Sequence, residues 1–198
     1  MELRDAIRKR RMWRTFESTP VDPDVVTRIL AHGQRAPSAG YAQGFAFLVL
    51  EGADQVRPFW DAMSGGDDAW PGPGVRAAAV IIVPMGSKKA YLDRYAEEDK
   101  GWADRDEARW PTPYWLIDPA FASMLMLLTA VDEGLGALFF GFYPPTLPAF
   151  REAFGVPEEW DPIGGIALGR RASTDPVKSS AQTRSRKALD EIVHRGRW

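Results

Sequence analysis

The chain has 198 residues, 45% of them hydrophobic and 26% charged, with a net charge of -2 and a pI near 5.8. This length allows one sizeable core, so we predict a single domain over residues 1–198. The charge balance argues against a nucleic-acid binder, which usually has a strongly basic face. The absence of cysteine excludes disulfides, thiolate nucleophiles and cysteine-based metal sites. No signal-peptide pattern or long apolar run is present, so we expect no membrane partner and a cytoplasmic location.

Helices and strands alternate along the chain. Helices are predicted over residues 2–10, 23–35, 55–63 and 145–154, and from Pro119 to Gly134. Asp22 with Pro23, and Asp118 with Pro119, each match an N-cap followed by proline at the first helical position. Short apolar runs predict strands over residues 45–50, 77–83, 138–142 and 164–168. The tail from residue 170 is polar and basic, with a short helix predicted over residues 188–193. This order predicts an α/β or α+β sandwich.

The predicted helix after Pro119 suggests how the chain assembles. Its only polar side chains over nearly four turns are Ser123 and Thr129, whereas a surface helix would show a polar face. We therefore predict that it is buried on all sides. In so small a domain this is easier if a second subunit covers one face, so we predict a homodimer.

Residues 64–115 have an unusual composition. Trp70, Trp102, Trp110 and Trp115 stand among charges, glycines and prolines. One interpretation is a surface excursion whose tryptophans pack onto the body of the protein. The other is an aromatic lid over a planar ligand.

Side chains that could carry chemistry are scarce. There is no G-x-G-x-x-G after a strand, no P-loop and no G-x-S-x-G motif. The two histidines, His32 and His194, are interpreted as structural and solvated, and the pairs Asp67-Asp68 and Glu97-Glu98 as solubility features. We expect no metal site and no catalytic side chain, so a cofactor would have to supply any difficult chemistry.

The stretch RKRRMWRTF, residues 8–16, places five cations among nine residues. Such a cluster can interact with the negative end of the first helix, or it can bind an anion. Arg10 and Arg14 favour the second interpretation, because the arginine fork suits phosphate and carbonyl oxygens. The turn PSAG, residues 37–40, is either an ordinary helix-to-strand turn or a set of backbone donors for a heterocycle or an anion.

These motifs together resemble the nitroreductase family of FMN-dependent flavoproteins. The resemblance rests on the basic N-terminal motif, on A-P-S-A-G with Gln43 three residues later, on GLGALFFG after the apolar helix, and on the C-terminal R-x-R-K-x-L-D-E-I-V-H-x-x-R-W. It implies an α+β three-layer sandwich with a mostly antiparallel central sheet, in an entwined homodimer. It also implies FMN at the subunit interface and residues 64–115 as a variable, lid-like excursion.

The resemblance also implies a binding site for the FMN phosphate and ribityl chain. Arg10 and Arg11 would lie beside these groups, and Met12 would contact the flavin through its backbone. Arg184 and Arg186 would complete the phosphate site, although from sequence alone both could equally belong to a solvated basic tail.

At the flavin ring, the resemblance places Arg14 at the pyrimidine edge, where a cation favours the reduced anion. Gln43 would lie near the ribityl chain or the ring edge. The ring would be lined, from the other subunit, by Pro37, Ser38 and Ala39. The face of the ring near N5 would be covered by Phe140 and Gly141. Many relatives have Ser in place of Met12 and Asn in place of Gly40 or Tyr41, so the polar contacts to the ring are expected to be fewer here.

The function implied is ping-pong transfer of a hydride from NADH or NADPH, through FMN, to a nitroaromatic, quinone or similar acceptor. An enzyme of the same fold could instead use O2 or remove halogen from a phenol. From other classes, the chain could bind flavin without turnover, or bind an anion or nucleic acid without flavin.

Overall fold

A five-stranded antiparallel sheet forms the centre of the protein. The computed structural model describes residues 1–67, 69–176 and 179–198, so Asp68 of the predicted Asp67-Asp68 pair lies outside the described residues. The strands run in the order β1-β2-β5-β3, and the short β4 pairs with the end of β2. Their bounds are β1 Phe45–Glu51, β2 Val80–Gly86, β3 Gly136–Phe140, β4 Asp161–Pro162 and β5 Gly165–Gly169.

Helices pack on both faces of this sheet. The helices in the described part of the chain are α1 Leu3–Lys9, α2 Pro23–Gln34, α3 Ala53–Met63, α4 Pro73–Arg76, α5 Lys88–Ala96, α6 Tyr114–Asp132, α7 Leu147–Phe154 and α8 Ser180–Thr183. Single 3-10 turns lie at Ala39–Tyr41, Glu107–Arg109, Pro144–Thr146 and Leu189–Glu191. The last of these falls within the short helix predicted over residues 188–193.

The central strand β2 divides the core into two layers. Its residues are buried on both sides of the sheet, because alternate side chains point to opposite faces. Ile81 packs with Phe59 of α3 and Phe150 of α7. Ile82 packs on the other side, with Met126 of α6 and the residues of α2. The predicted α+β sandwich with an antiparallel sheet between helices is therefore confirmed.

The two predicted N-caps have different outcomes. Asp22 caps α2, where its side chain accepts a hydrogen bond from the Asp24 amide and Pro23 is the first helical residue. The prediction for Asp118 and Pro119 is wrong, because α6 begins at Tyr114. The first turn of α6 is held by tertiary packing of Trp115, which is buried against Tyr91. This packing outweighs the local signal for a helix start at Pro119.

Proline inside α6 leaves one carbonyl of the helix without its usual donor, and that carbonyl lies against the sheet. Pro119 has no N–H to bond the oxygen of Trp115, four residues earlier. This oxygen lies so close to Gly86 that a Cβ built there would be 1.7 Å away. Only glycine at the end of β2 therefore allows α6 to pack at this depth.

One face of α6 is not covered by the rest of the chain. Leu116, Phe121 and Met124 are 41%, 47% and 46% exposed. This face lies where the predicted homodimer would place a second subunit, so burial of α6 on all sides stays a prediction. By length and composition α6 could cross a membrane, but about half of it is buried inside this fold.

The segment between α3 and α6 packs its tryptophans onto the domain. Trp70 lies edge-on to Trp60 at 6.0 Å. Trp110 packs with the rings of Tyr91, Tyr95, Trp102, Tyr114 and Trp115, at centroid distances of 4.5–6.1 Å. The segment also contains α5, which the sequence analysis did not predict because its charged residues hide a single buried position, Tyr91. The lid interpretation stays a prediction.

Candidate functional site

The segment 12–17 makes isolated bridges to β3 and to the chain that follows the neighbouring strand β5. Met12 forms a parallel bridge with Ala137 of β3, and the Trp13 amide donates to the Ala137 carbonyl at 2.9 Å. Further along, Phe16 pairs with Arg171, which follows β5. The basic N-terminal motif is therefore anchored to β3 on one side and to the chain after β5 on the other.

Asp175 holds the centre of this segment. Its carboxylate accepts the Arg14 amide at 3.1 Å and the Thr15 hydroxyl at 2.8 Å. Because Asp175 binds the backbone of Arg14 in this way, the Arg14 side chain extends from a fixed position. The guanidinium lies 3.4 Å from the Met12 carbonyl.

A cavity of about 450 Å³ opens between the basic motif and the C-terminal tail. Its described lining residues are Arg8, Arg10, Arg11, Met12, Arg14, Ser179, Ser180, Ala181, Gln182 and Arg186. The structure thus brings together five of the twelve residues predicted for the site, from segments about 170 positions apart. Arg184 ends α8 and is exposed, and it is not among these lining residues.

The donors around this cavity suit a phosphate. The described lining contains five guanidinium groups and two serine hydroxyls and no carboxylate. Guanidinium forks bind phosphate oxygens through paired, charge-assisted hydrogen bonds. The residues present therefore fit the phosphorylated end of FMN.

The turn after α2 lies apart from this lining and is tied to α6. The Ala39 amide donates to the Asp118 carboxylate at 2.8 Å, and the Gln43 amide donates to the Ser38 hydroxyl oxygen at 3.0 Å. Tyr41 and Gln43 have positive φ angles of 54° and 48°, a conformation that is costly for residues other than glycine. Pro37 at the start of the turn is exposed.

Phe140 and Gly141 lie at the end of β3, three and four residues beyond the partner of Met12. At about 3.3 Å per residue, this is roughly 10–13 Å further along the strand. The Phe140 ring lies over Gly165, where a Cβ would be 2.4 Å from the ring, and packs against Trp60 at 5.3 Å. Since this side chain is used in packing, the backbone of Phe140 and Gly141 is the part left to contact a ligand.

Known proteins with similar sequences and folds identify the family. Residues 7–170 match the sequence model of the nitroreductase family. The chain belongs to the nitroreductase family. An NADPH-dependent oxidoreductase of Staphylococcus aureus is 23% identical over 195 residues, covering 97% of this chain and 72% of the relative.

Solved structures agree with this assignment. A nitroreductase family protein from Clostridium difficile superposes with a TM-score of 0.73 at 20% identity, over the whole of both chains. A protein from Desulfovibrio desulfuricans, described as a nitroreductase in complex with FMN, has a TM-score of 0.70 at 26% identity. The match covers 98% of this chain and 95% of that one. The family predicted from the sequence is confirmed, and with it the enzyme class, an oxidoreductase.

Sequence reasoning missed several residues that the structure places at the cavity or its supports. Ser179 and Gln182 form a capping box, and their S-x-x-Q spacing could have indicated a helix start. No local pattern indicated Asp175, which meets Arg14 only through the fold. The family match ends at residue 170, so the tail that completes the cavity lies outside it.

The two histidines of this chain are not among the described residues that line the cavity. His32 Nδ1 lies 2.9 Å from the Thr129 hydroxyl oxygen, between α2 and α6, in line with the structural role predicted for it. His194 is in the exposed tail, with its ring 4.0 Å from that of Trp198.

Proposed function

We propose that this protein is an FMN-dependent oxidoreductase. It takes a hydride from NADH or NADPH and reduces a nitroaromatic, quinone or similar acceptor in a ping-pong cycle. One observation carries the proposal. The basic motif, which the sequence predicts to bind the FMN phosphate, lines a cavity. The guanidinium and hydroxyl groups among the described lining residues all suit that phosphate. Bound FMN would supply the hydride and electron transfer, as in flavoproteins generally.

The chain's own residues would hold the cofactor along a line from the cavity to the end of β3. Arg10, Arg11 and Arg186 would bind the phosphate, and Met12 would contact the flavin through its backbone. Arg14 would face the pyrimidine edge, where its charge stabilises negative charge that develops on reduction. Asp175 supports this role because it fixes the Arg14 backbone. Arg184 would join the phosphate site if the tail adjusts around the ligand.

The site would be completed by a second subunit. The exposed apolar face of α6, with Leu116, Phe121 and Met124, is a surface that a homodimer would bury. The partner would contribute Pro37, Ser38 and Ala39 to the flavin ring, and Gln43 would lie near the ribityl chain or the ring edge. Phe140 and Gly141 would lie over the ring with their backbone, since the Phe140 side chain is engaged in the core.

No side-chain acid or base is needed for the hydride step. The role of the protein would then be to bind and orient the cofactor and the two substrates, which is a large part of catalysis by itself. We further propose a cytoplasmic location, which the cysteine-free composition suits.

Three measurements on one sample test the proposal. The purified protein, supplied with FMN, should show flavin absorption bands and retain them after gel filtration. NADH or NADPH should bleach these bands under anaerobic conditions, and a nitroaromatic or a quinone should restore them. A protein that takes up no FMN would refute the proposal. FMN that NAD(P)H fails to reduce would instead indicate a flavin-binding protein without turnover, and reoxidation by O2 alone would indicate the O2-using alternative.

A further inference from the structure

A buried carboxylate on α6 reaches across to the turn after α2. Asp118 is 2% exposed. Its Oδ2 atom accepts the Ala39 amide at 2.8 Å and also the Tyr91 hydroxyl at 2.7 Å. A single oxygen therefore links the first turns of α6 to α5 and to the turn 38–43.

Tyr91 is built to remain a donor in this link. It is fully buried in α5. Burial, followed by the hydrogen bond to Asp118, raises the pKa of its hydroxyl far above the ordinary value. The hydroxyl therefore stays protonated and remains a second donor to the carboxylate oxygen that accepts the Ala39 amide.

The same aromatic residues also support the turn by direct contact. A Cβ at Gly40 would lie 2.6 Å from the Tyr95 ring, and one at Gly44 would lie 2.5 Å from the Tyr91 ring. Trp110 packs against Tyr95 at 4.5 Å and against Tyr91 at 6.1 Å. The turn thus rests on the residues that precede α6.

The turn needs such support because its own backbone is under strain. Tyr41 and Gln43 both have positive φ angles, and residues in this region persist only where their surroundings hold them. The Gln43 amide donates to the hydroxyl oxygen of Ser38, which belongs to the same turn. Among the described residues, the bond from Ala39 to Asp118 is the hydrogen bond that ties the turn 38–43 to α6.

We propose that Asp118 is the positioning residue of the turn 38–43. The effect on the enzyme rests on the proposed function, in which this turn lines the flavin ring. A loosened turn would then disturb the acceptor's binding surface while the phosphate site remains intact. Asp118, on α6, would in this way influence the site without touching the cofactor.

Three variants separate the link from general stability. Asp118→Ala removes the acceptor of both bonds. Asp118→Asn keeps an oxygen that can accept both. Tyr91→Phe is the matched control, because it removes one buried hydrogen bond but leaves the bond from Ala39 to Asp118 in place.

The first measurement does not depend on FMN. Hydrogen exchange of residues 37–43 in the cofactor-free protein should be at least tenfold faster in Asp118→Ala, relative to exchange in α2. Asp118→Asn and Tyr91→Phe should remain within about twofold of the parent. If Asp118→Ala does not fold, exchange of the Ala39 amide in the unmodified protein decides, and less than tenfold protection would overturn the proposal.

The second measurement uses the FMN-loaded protein with 1,4-benzoquinone as the acceptor. Asp118→Ala should change the visible circular dichroism of the flavin and raise the KM for the quinone about tenfold, with FMN affinity within about threefold. Tyr91→Phe should lower the urea midpoint, but it should change neither the circular dichroism of the flavin nor the KM for the quinone. Equal exchange and equal KM in Asp118→Ala and Tyr91→Phe would refute the positioning role. A parent protein that takes up no FMN would refute the proposed function alone, because the exchange measurement would still stand.

Discussion

The cations of the basic motif are held in different ways. Arg8 forms an ion pair with Asp5 within α1 and Arg11 is exposed, whereas Arg10 is partly buried at the end of the helix. Arg14 is the most constrained, because Asp175 binds its amide. Different effects are therefore expected when these residues are replaced.

Replacing Arg10 should affect ligand binding more than folding. A hydrogen bond to a charged group contributes about 1.5–3 kcal/mol, so Arg10→Ala should weaken FMN binding by at least about tenfold. The melting temperature should fall only when FMN is present, since a ligand stabilises the state that it binds. Arg4→Ala on the same helix is the control and should change neither. FMN titration and thermal melts measure both, and equal affinity for the two variants would return the motif to a solvated helix end.

Arg14 should instead control the redox balance of the flavin. Arg14→Ala removes a cation from the place where negative charge would grow on reduction. We expect a lower reduction potential with FMN affinity nearly unchanged, measured by redox titration and FMN titration. A potential equal to that of the parent would remove Arg14 from the pyrimidine edge.

Tyr41 has a strained backbone conformation, and packing of its side chain within the chain does not offset that strain. It is 75% exposed, with a φ of 54°. Asparagine tolerates this conformation, so Tyr41→Asn should raise the free energy of unfolding of the cofactor-free protein by up to about 1 kcal/mol. Tyr143→Asn is the control, because Tyr143 is also exposed but has a φ of -83°. Urea unfolding measures both, and a loss of stability in Tyr41→Asn would show that the tyrosine ring has a role in the fold.

At the scale of elements, local sequence signals succeeded where burial agreed with them. The cap at Asp22 was predictable because α2 begins on the surface, where the cap decides the boundary. The same signal failed at Asp118, whose carboxylate is used to bind Ala39 and Tyr91. The basic motif was predictable from its residue types, but its partners in the tail were reached only through the family resemblance, since no local pattern links residues so far apart.

The packing of α6 on the sheet depends on a single glycine. In Gly86→Ala, the new Cβ would meet the Trp115 carbonyl, a backbone group that cannot move without shifting the helix. Overpacking of this kind should lower the free energy of unfolding by about 3 kcal/mol or more. Gly141→Ala is the matched control, because a Cβ there meets nothing within 4 Å. Urea unfolding of the cofactor-free variants tests this, and similar midpoints for the two would contradict the close approach of α6.

At the scale of the whole molecule, the exposed face of α6 sets the proposed assembly. Phe121→Glu places a charge on this face and should convert a dimer to a monomer, with loss of FMN affinity if the site is shared. Ala149→Glu adds the same charge to the exposed surface of α7 and should leave the dimer intact. Sedimentation at micromolar concentration measures both. A parent protein that is monomeric and still binds FMN would contradict the shared site.

The cavity joins two segments about 170 positions apart in the sequence, and this has a consequence for biosynthesis. The ribosome makes the basic motif long before it makes Ser179 to Arg186. The strands from β1 to β5 all precede Ser179 in the sequence, and they can begin to pair while synthesis continues, because domains begin to fold during synthesis. Assembly of the complete cavity would therefore follow pairing of the strands, and FMN could not act as a template for the earlier steps.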